Sequence, residues 1–172
     1  DHGESLGDHG LMFKGCRFYE GLVRVPLIFS CPKRFQVNQQ SSALVELLDL
    51  TATLLDLTEA GQPDYLQGRS LLPILTGEAN SNHHRDFVRS EFYQALPQKS
   101  SYASMIRNHR YKLVNYHGHD LGELFDLELD PNEFNNLWDN TNYADIRFEL
   151  MRQSFDALAL AVDIGTPRIS GF

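Results

Sequence analysis

Residues 102–116 read Tyr-Ala-Ser-Met-Ile-Arg-Asn-His-Arg-Tyr-Lys-Leu-Val-Asn-Tyr, and this stretch decides the fold of the second half of the chain. Two short runs rich in aromatic and apolar residues, 102–106 and 111–116, flank the polar segment 107–110. Runs of this length and composition are typical of strands, and a short polar connection between them favours a hairpin turn. The stretch therefore predicts two antiparallel strands.

The neighbouring segments extend this hairpin into a sheet. Runs 87–92 and 123–127 have the same character, and Asp130-Pro131-Asn132-Glu133 is a strong turn signal after the second of them. Residues 143–162 carry apolar residues at helical spacing, which predicts a helix with a broad apolar face. The members of that face are Ile146, Phe148, Leu150, Met151, Phe155, Ala157, Leu158 and Val162. Four antiparallel strands and one helix predict a small α+β subdomain over residues 81–172.

The first half of the chain shows the pattern of a strand followed by helices. Residues 22–29 are mostly β-branched or apolar and predict a buried strand, with Pro26 at its edge or at a bend. Ser41 or Ser42 is expected to cap a helix, and Ser70 a second, shorter helix. The apolar face expected for the first helix consists of Leu44, Leu47, Leu48, Thr51 and Leu55. A strand followed by helices is typical of an α/β layer.

A polar segment at 77–84 separates the two halves. Its composition favours a domain boundary, which divides the chain into residues 1–80 and residues 81–172. His83 and His84 lie in this segment and are expected to be solvated.

Composition excludes several classes of protein. The 172 residues include 15 lysines and arginines against 23 aspartates and glutamates, which gives a net charge of −8. An acidic chain offers no overall attraction to nucleic acids or anionic membranes, and we expect no nucleic-acid partner. No apolar run approaches the roughly 20 residues that a membrane span needs. Cys16 and Cys31 can form at most one disulfide, which leaves the redox compartment open.

The first fifteen residues carry the densest functional signal. They contain two aspartates, two histidines, one glutamate, one lysine and four glycines. Carboxylate oxygen and imidazole nitrogen bind divalent metals, and an aspartate-rich site favours a hard cation. A lysine beside such a site can neutralise a bound oxyanion. The alternative is a loop of turns with solvated charges.

The order of these residues resembles a known family. Residues 1–10, Asp-His-Gly-Glu-Ser-Leu-Gly-Asp-His-Gly, followed by Lys14-Gly15, Tyr19-Glu20 and residues 24–28, look like the C-terminal half of a type I sulfatase of the alkaline phosphatase superfamily. The resemblance continues through residues 48–55, 67–71, 105–107, 111–113 and 123–131. It is strongest to the bacterial branch that holds choline sulfatase-like enzymes and phosphonate monoester hydrolases. It implies the end of a large alkaline phosphatase-like α/β domain, followed by the small C-terminal α+β subdomain.

The resemblance also implies roles for individual residues. Asp1 and His2 match the family's second pair of metal ligands, and the first pair is expected upstream of this chain. The metal is usually calcium, with manganese or magnesium as alternatives. Lys14 matches the lysine that binds a nonbridging sulfate oxygen. His9 falls close by and is either a catalytic group or an exposed loop histidine, while Glu4 is expected to orient the loop.

The family's nucleophile is a formylglycine, made from Cys or Ser in a Cys/Ser-x-Pro-x-Arg motif. Neither Cys16 nor Cys31 fits this motif, so we expect the nucleophile upstream of residue 1 and the chain to be an inactive fragment. The whole protein is then expected to hydrolyse a small-molecule sulfate ester. The alternatives are a phosphonate or phosphate ester hydrolase, and a noncatalytic module that completes a partner chain. A homo-oligomer is possible, and the compartment stays open between bacterial cytoplasm and periplasm.

Overall fold

A computed structural model describes residues 1–93 and 101–161. Its second half contains a four-stranded sheet in the order β1-β2-β3-β4, in which every neighbouring pair is antiparallel. The strands are β1 (Val88–Tyr93), β2 (Tyr102–Arg107), β3 (Tyr111–Tyr116) and β4 (Leu121–Asp126). The four strands expected from the sequence are confirmed, with bounds that shift by one or two residues at β1, β2 and β4.

The register of β2 and β3 explains why the sheet is covered on both faces. Met105 pairs with Val114, and Ile106 pairs with Leu113. Successive side chains in a strand point to opposite faces, so these two pairs belong to different cores. One core consists of Ile106, Leu113, Leu124, Leu137 and Leu150, and the other of Phe18, Ala103, Met105 and Val114. The second core therefore joins the sheet to the N-terminal segment of the chain.

Polar side chains close the turns that the sequence predicts. The side-chain oxygen of Asn108 accepts hydrogen bonds from the backbone N–H groups of Arg110 and Tyr111, at 2.9 and 2.7 Å. After β4, the Oδ2 atom of Asp130 accepts a hydrogen bond from the backbone N–H of Asn135 at 2.7 Å. Both segments were expected to turn because Asn and Asp readily bond nearby backbone groups.

Helix α4 (Ala144–Leu160) follows the sheet, as expected. Leu150 is its only fully buried residue, whereas Phe148 and Phe155 are about 70% exposed (69% and 71%). The expectation of one broad buried face is wrong because the helix presents only the stripe with Ile146 and Leu150 to the sheet. Residues two positions apart on a helix point in nearly opposite directions, which turns Phe148 away from Leu150. Val162 lies outside the described residues.

The strand expected at 22–29 is wrong. Glu20–Val23 form the short helix α1, and residues 24–30 form neither helix nor strand. Ile28 is 87% exposed, and Leu27 is exposed as well. A strand needs a partner for its backbone hydrogen bonds, and no part of the chain that the structure describes pairs with this segment.

Helix α2 (Leu48–Leu57) also differs from the expectation. It begins at Leu48 without a side-chain cap, well after both predicted capping serines. Ser41 bonds the carbonyl of Ser81, and Ser42 bonds the side chain of Asn82. Its buried residues are Asp49, Ala52 and Thr53, whereas the leucines at 47 and 48 are half exposed. The polar residues are buried because they accept backbone hydrogen bonds: Asp49 from Glu46 and Arg69, Thr53 from Leu71.

Helix α3 (Leu72–Thr76) confirms the short helix expected after Ser70. The Ser70 hydroxyl accepts a hydrogen bond from the N–H of Leu72 at 3.1 Å. Gly77 ends the helix with a φ of 85°, a conformation that glycine adopts at little cost.

The segment predicted as a domain boundary is tied to α2. Arg85 pairs with Glu46 and with Asp49, and the Nε2 atom of His84 lies 3.4 Å from Oδ2 of Asp49. The side chain of His84 is 8% exposed, so the expectation that it is solvated is wrong, and burial lowers the pKa of its ring. The division into 1–80 and 81–172 stays a prediction.

Candidate functional site

Asp1 and His2 present a carboxylate and an imidazole side by side. The His2 backbone N–H donates to Oδ1 of Asp1 at 3.0 Å, and the ring Nε2 lies 3.8 Å from the same oxygen. The ring Nδ1 lies 3.0 Å from the carbonyl oxygen of Gly3, a contact that assigns the ring proton to Nδ1 and leaves Nε2 free to bind a cation. Histidine ligands in metal sites are commonly oriented in this way.

This donor pair fits half of a divalent-metal site. Both side chains are exposed, 83% for Asp1 and 54% for His2, so a ligand set from elsewhere can reach them. Within residues 1–93 and 101–161, no group of three or more histidines, cysteines, aspartates or glutamates converges. The metal role of Asp1 and His2 stays a prediction.

The loop behind this pair lies directly against α1. The N–H of Gly3 donates to the carbonyl of Leu22 at 2.8 Å. A Cβ atom at Gly3 would overlap the backbone carbonyl oxygen of Gly21, so only glycine allows this approach. The position of His2 therefore depends on the position of α1.

Lys14 is held by Glu4. Its Nζ atom donates to Oε2 of Glu4 at 3.2 Å, while Oε1 of Glu4 accepts from the N–H of Ser5 at 3.0 Å. The hydrogen bond from Ser5 and, after it, the contact with Lys14 lower the pKa of Glu4. Glu4 thus bridges the start and the end of the loop, as a residue that orients it would. The binding of sulfate by Lys14 stays a prediction.

Lys14 lines an open cavity of about 610 Å³ between the N-terminal loop and the sheet. Arg17 from the loop and Tyr102 and His119 from the small subdomain line it as well. The lining thus combines the cations of Lys14 and Arg17 with the carboxylate of Glu123 and with aromatic side chains.

His9 occupies a different place. Its ring stacks on Tyr19 with centroids 3.8 Å apart and an interplanar angle of 4°, and Phe134 lies 5.0 Å away. The side chain is only 11% exposed, so the alternative of a solvent-exposed loop histidine is wrong. His9 lines a separate hollow with Glu20 and does not line the cavity of Lys14. Its catalytic role stays a prediction.

Sequence reasoning missed a chain of polar contacts in the cavity. Arg17 donates to the hydroxyl of Tyr116 at 2.7 Å, and that hydroxyl donates to Oε1 of Glu123 at 3.0 Å. Burial raises the pKa of both Tyr116 and Glu123. Arg17 and Tyr116 are 99 positions apart, so no local pattern joins them.

The segment Ser30-Cys31-Pro32-Lys33-Arg34 satisfies the serine form of the formylglycine motif, although neither cysteine fits it. The structure turns this segment toward α2: Arg34 donates to the carbonyl of Leu57 at 3.3 Å. Among the hydrogen bonds of the described residues, none joins residues 30–34 to residues 1–15. The upstream nucleophile stays a prediction, and Ser30 becomes a position to test.

Comparison with known proteins defines the class. Residues 7–159 match the family described as N-sulphoglucosamine sulphohydrolase, C-terminal. The chain therefore belongs to this family and corresponds to a C-terminal portion of a type I sulfatase.

Individual relatives agree with this assignment. The chain is 33% identical, over 154 residues, to Delta 4,5-hexuronate-2-O-sulfatase of Bacteroides thetaiotaomicron, covering 87% of this chain and 31% of the relative. A 2-O GAG sulfatase structure superposes with a TM-score of 0.84 and 30% identity, over 93% of this chain and 35% of the other. The phosphonate monoester hydrolase of Silicibacter pomeroyi superposes with a TM-score of 0.82 and 28% identity. The match covers 95% of this chain and 34% of the hydrolase. The chain thus spans about a third of the length of the proteins it matches.

These neighbours confirm the fold class, a C-terminal part of the sulfatase fold that ends in the small α+β subdomain. In the described parts of the chain, no helix has both the length and the apolar character needed to cross a membrane.

Proposed function

We propose that this chain is the part of a metal-dependent sulfatase that supplies half of the metal site and a sulfate-binding lysine. The observation that carries the proposal is the arrangement of the N-terminal loop. Asp1 and His2 present free metal donors, and Lys14 is held by Glu4 in the same loop, within a chain of the sulfatase family.

Each of these residues has a chemical task. Asp1 and His2 would hold a divalent cation, calcium by resemblance to the family, with manganese or magnesium as alternatives. When bound, such a cation stabilises negative charge on the transferring group. The Lys14 ammonium neutralises a nonbridging oxygen of the sulfate through a charge-assisted hydrogen bond. Glu4 keeps that ammonium in place before the substrate arrives.

The nucleophile belongs to the upstream part of the protein in this proposal. A hydrated formylglycine there would supply the group that attacks sulfur, and this chain would supply the metal donors Asp1 and His2 and the sulfate-binding Lys14. The chain by itself therefore does not turn over substrate.

The substrate class follows from the named relatives. Delta 4,5-hexuronate-2-O-sulfatase and the 2-O GAG sulfatase are named for sulfated saccharides, which favours a sulfated sugar here. The open cavity beside Lys14, lined by polar and aromatic side chains, is compatible with a sugar ring. A phosphonate ester is the second candidate, because the Silicibacter pomeroyi hydrolase superposes almost equally well.

The test uses the full-length protein produced with a formylglycine-generating enzyme. We expect kcat/KM for an aryl sulfate to exceed that for a phosphonate monoester, and peptide mapping to find formylglycine upstream of Asp1. A preference for the phosphonate ester would transfer the proposal to the second candidate. Formylglycine at Ser30 would overturn the assignment of the nucleophile to the missing part.

A further inference from the structure

A lysine of the small subdomain is fully buried against the N-terminal segment. Lys112, on β3, has 0% exposure. Its ammonium donates to the carbonyl of Phe18 at 2.9 Å and to Oε1 of Glu133 at 2.7 Å, and it lies 2.7 Å from Oε1 of Glu20. A lysine has three donors, and three oxygen acceptors surround this one.

The charges of this cluster balance each other. A buried ammonium is tolerated only when it is paired and hydrogen-bonded, and two carboxylates provide that here. Arg107 adds a second cation, with its Nε 3.2 Å from Oε1 of Glu20. Burial raises the pKa of Glu20, but the charge and hydrogen bond of Lys112, together with Arg107, lower it on balance.

Glu133 also bonds the backbone of α1 directly. Its second carboxylate oxygen accepts from the backbone N–H of Glu20 at 2.6 Å. Glu133 has a φ of 58°, a left-handed conformation that few residues other than glycine adopt. The turn at 130–133 thus holds this carboxylate against the first residue of α1.

Helix α1 connects this cluster to the candidate metal pair, Asp1 and His2. Glu20 begins α1, and the carbonyl of Leu22 in the same helix accepts from the N–H of Gly3, the residue after His2. The residue before α1, Tyr19, stacks on His9. A shift of α1 would therefore move the loop that carries Asp1 and His2.

We propose that Lys112 is a positioning residue: its buried cluster with Glu20 and Glu133 fixes α1 and thereby sets the geometry of the Asp1–His2 pair. The small subdomain then acts on the candidate metal site through one lysine of its sheet. The consequence for metal binding rests on the proposed function, whereas the mechanical link rests on the contacts alone.

The test compares two destabilising variants of the full-length protein. Lys112→Met keeps the length of the side chain and removes its charge. Leu150→Ala removes volume from the core on the other face of the sheet, whose members include no residue of α1 or of the N-terminal loop. Hydrogen exchange of the amides at 3–22 is then measured well below both melting temperatures.

We expect Lys112→Met to speed exchange at Gly3 and Leu22 by about tenfold or more, the scale of one lost charge-assisted hydrogen bond. Leu150→Ala should leave exchange at these amides unchanged. We also expect weaker calcium binding in Lys112→Met and not in Leu150→Ala, a difference that general destabilisation does not produce. Equal exchange at 3–22 in both variants would overturn the proposal.

Glu20→Gln is a milder second variant if Lys112→Met does not fold, and it should show the same exchange pattern with a smaller amplitude. Absence of sulfatase activity in the unmodified protein would refute the proposed function. The exchange pattern would still decide the positioning role of Lys112.

Discussion

The ammonium of Lys14 and the carboxylate of Glu4 form an ion pair of 3.2 Å across the N-terminal loop. The lysine assigned to sulfate is thus already placed by a neighbour before any substrate is present. The two side chains are 45% and 31% exposed, so the pair contributes more to orientation than to stability.

The first prediction concerns this pair. Glu4→Gln in the full-length protein should lower kcat/KM for a sulfate ester by about tenfold, because a misplaced binding group forfeits the benefit of orientation. The melting temperature should not change. Glu59→Gln, at an exposed position far along the chain, is the matched control. Full activity in Glu4→Gln would show that Lys14 needs no partner.

The second prediction concerns the metal half-site. Asp1→Ala should weaken the binding of the divalent metal by at least about 100-fold, more than is usual for the loss of an outer-shell contact. Metal content after dialysis of the full-length protein measures this. Asp64→Ala, which removes an exposed carboxylate, should retain its metal. Full occupancy in Asp1→Ala would remove this residue from the ligand set.

The third prediction concerns pH. The folded-state pKa of Glu20 lies below its ordinary value of 4.5, so its stabilising contribution is present above that value and is lost as the pH falls through the lowered pKa. Glu20→Gln should therefore melt below the unmodified protein at pH 7, and the difference between their melting temperatures should shrink as the pH falls below 4.5. Thermal melts from pH 3 to pH 7 measure the difference. A constant gap across this range would contradict the assignment.

The fourth prediction concerns packing behind the sheet. A Cβ atom at Gly122, on β4, would overlap the ring of Trp138. Gly122→Ala should therefore cost about 1–3 kcal/mol of the free energy of unfolding. The same substitution in a Trp138→Leu background should cost less, because the overlapping ring is gone. Additive effects in this cycle would show that the two residues do not contact each other.

The sheet could be predicted because its signals are local. Each strand is a short run between turns, and Asn108 closes a turn through residues two and three positions away. The first half of the chain departed from its prediction because burial there depends on contacts with residues that are distant in the sequence. A leucine pattern predicted one buried face of α2, yet Asp49 and Thr53 occupy the buried side because distant backbone groups donate to them.

In the candidate site, too, the local contacts could be predicted from the sequence and the long-range contacts could not. The Glu4–Lys14 pair lies within one loop, and a resemblance in residue order was enough to select Lys14. The contact of Lys112 with Phe18 joins positions 94 residues apart, and a lysine in the middle of a strand gives no sign of burial. Only the folded chain shows that the small subdomain reaches the loop.

The substitution Lys14→Ala is the most direct test of the proposed sulfatase function. We would measure sulfate-ester turnover by the full-length protein carrying Lys14→Ala, beside Arg152→Ala, which removes an exposed cation on α4, as the control. The account predicts that Lys14→Ala lowers kcat/KM by about 100-fold or more, the scale of one lost charge-stabilising donor, with metal content and melting temperature unchanged. Turnover within about twofold of the Arg152→Ala value would contradict the account.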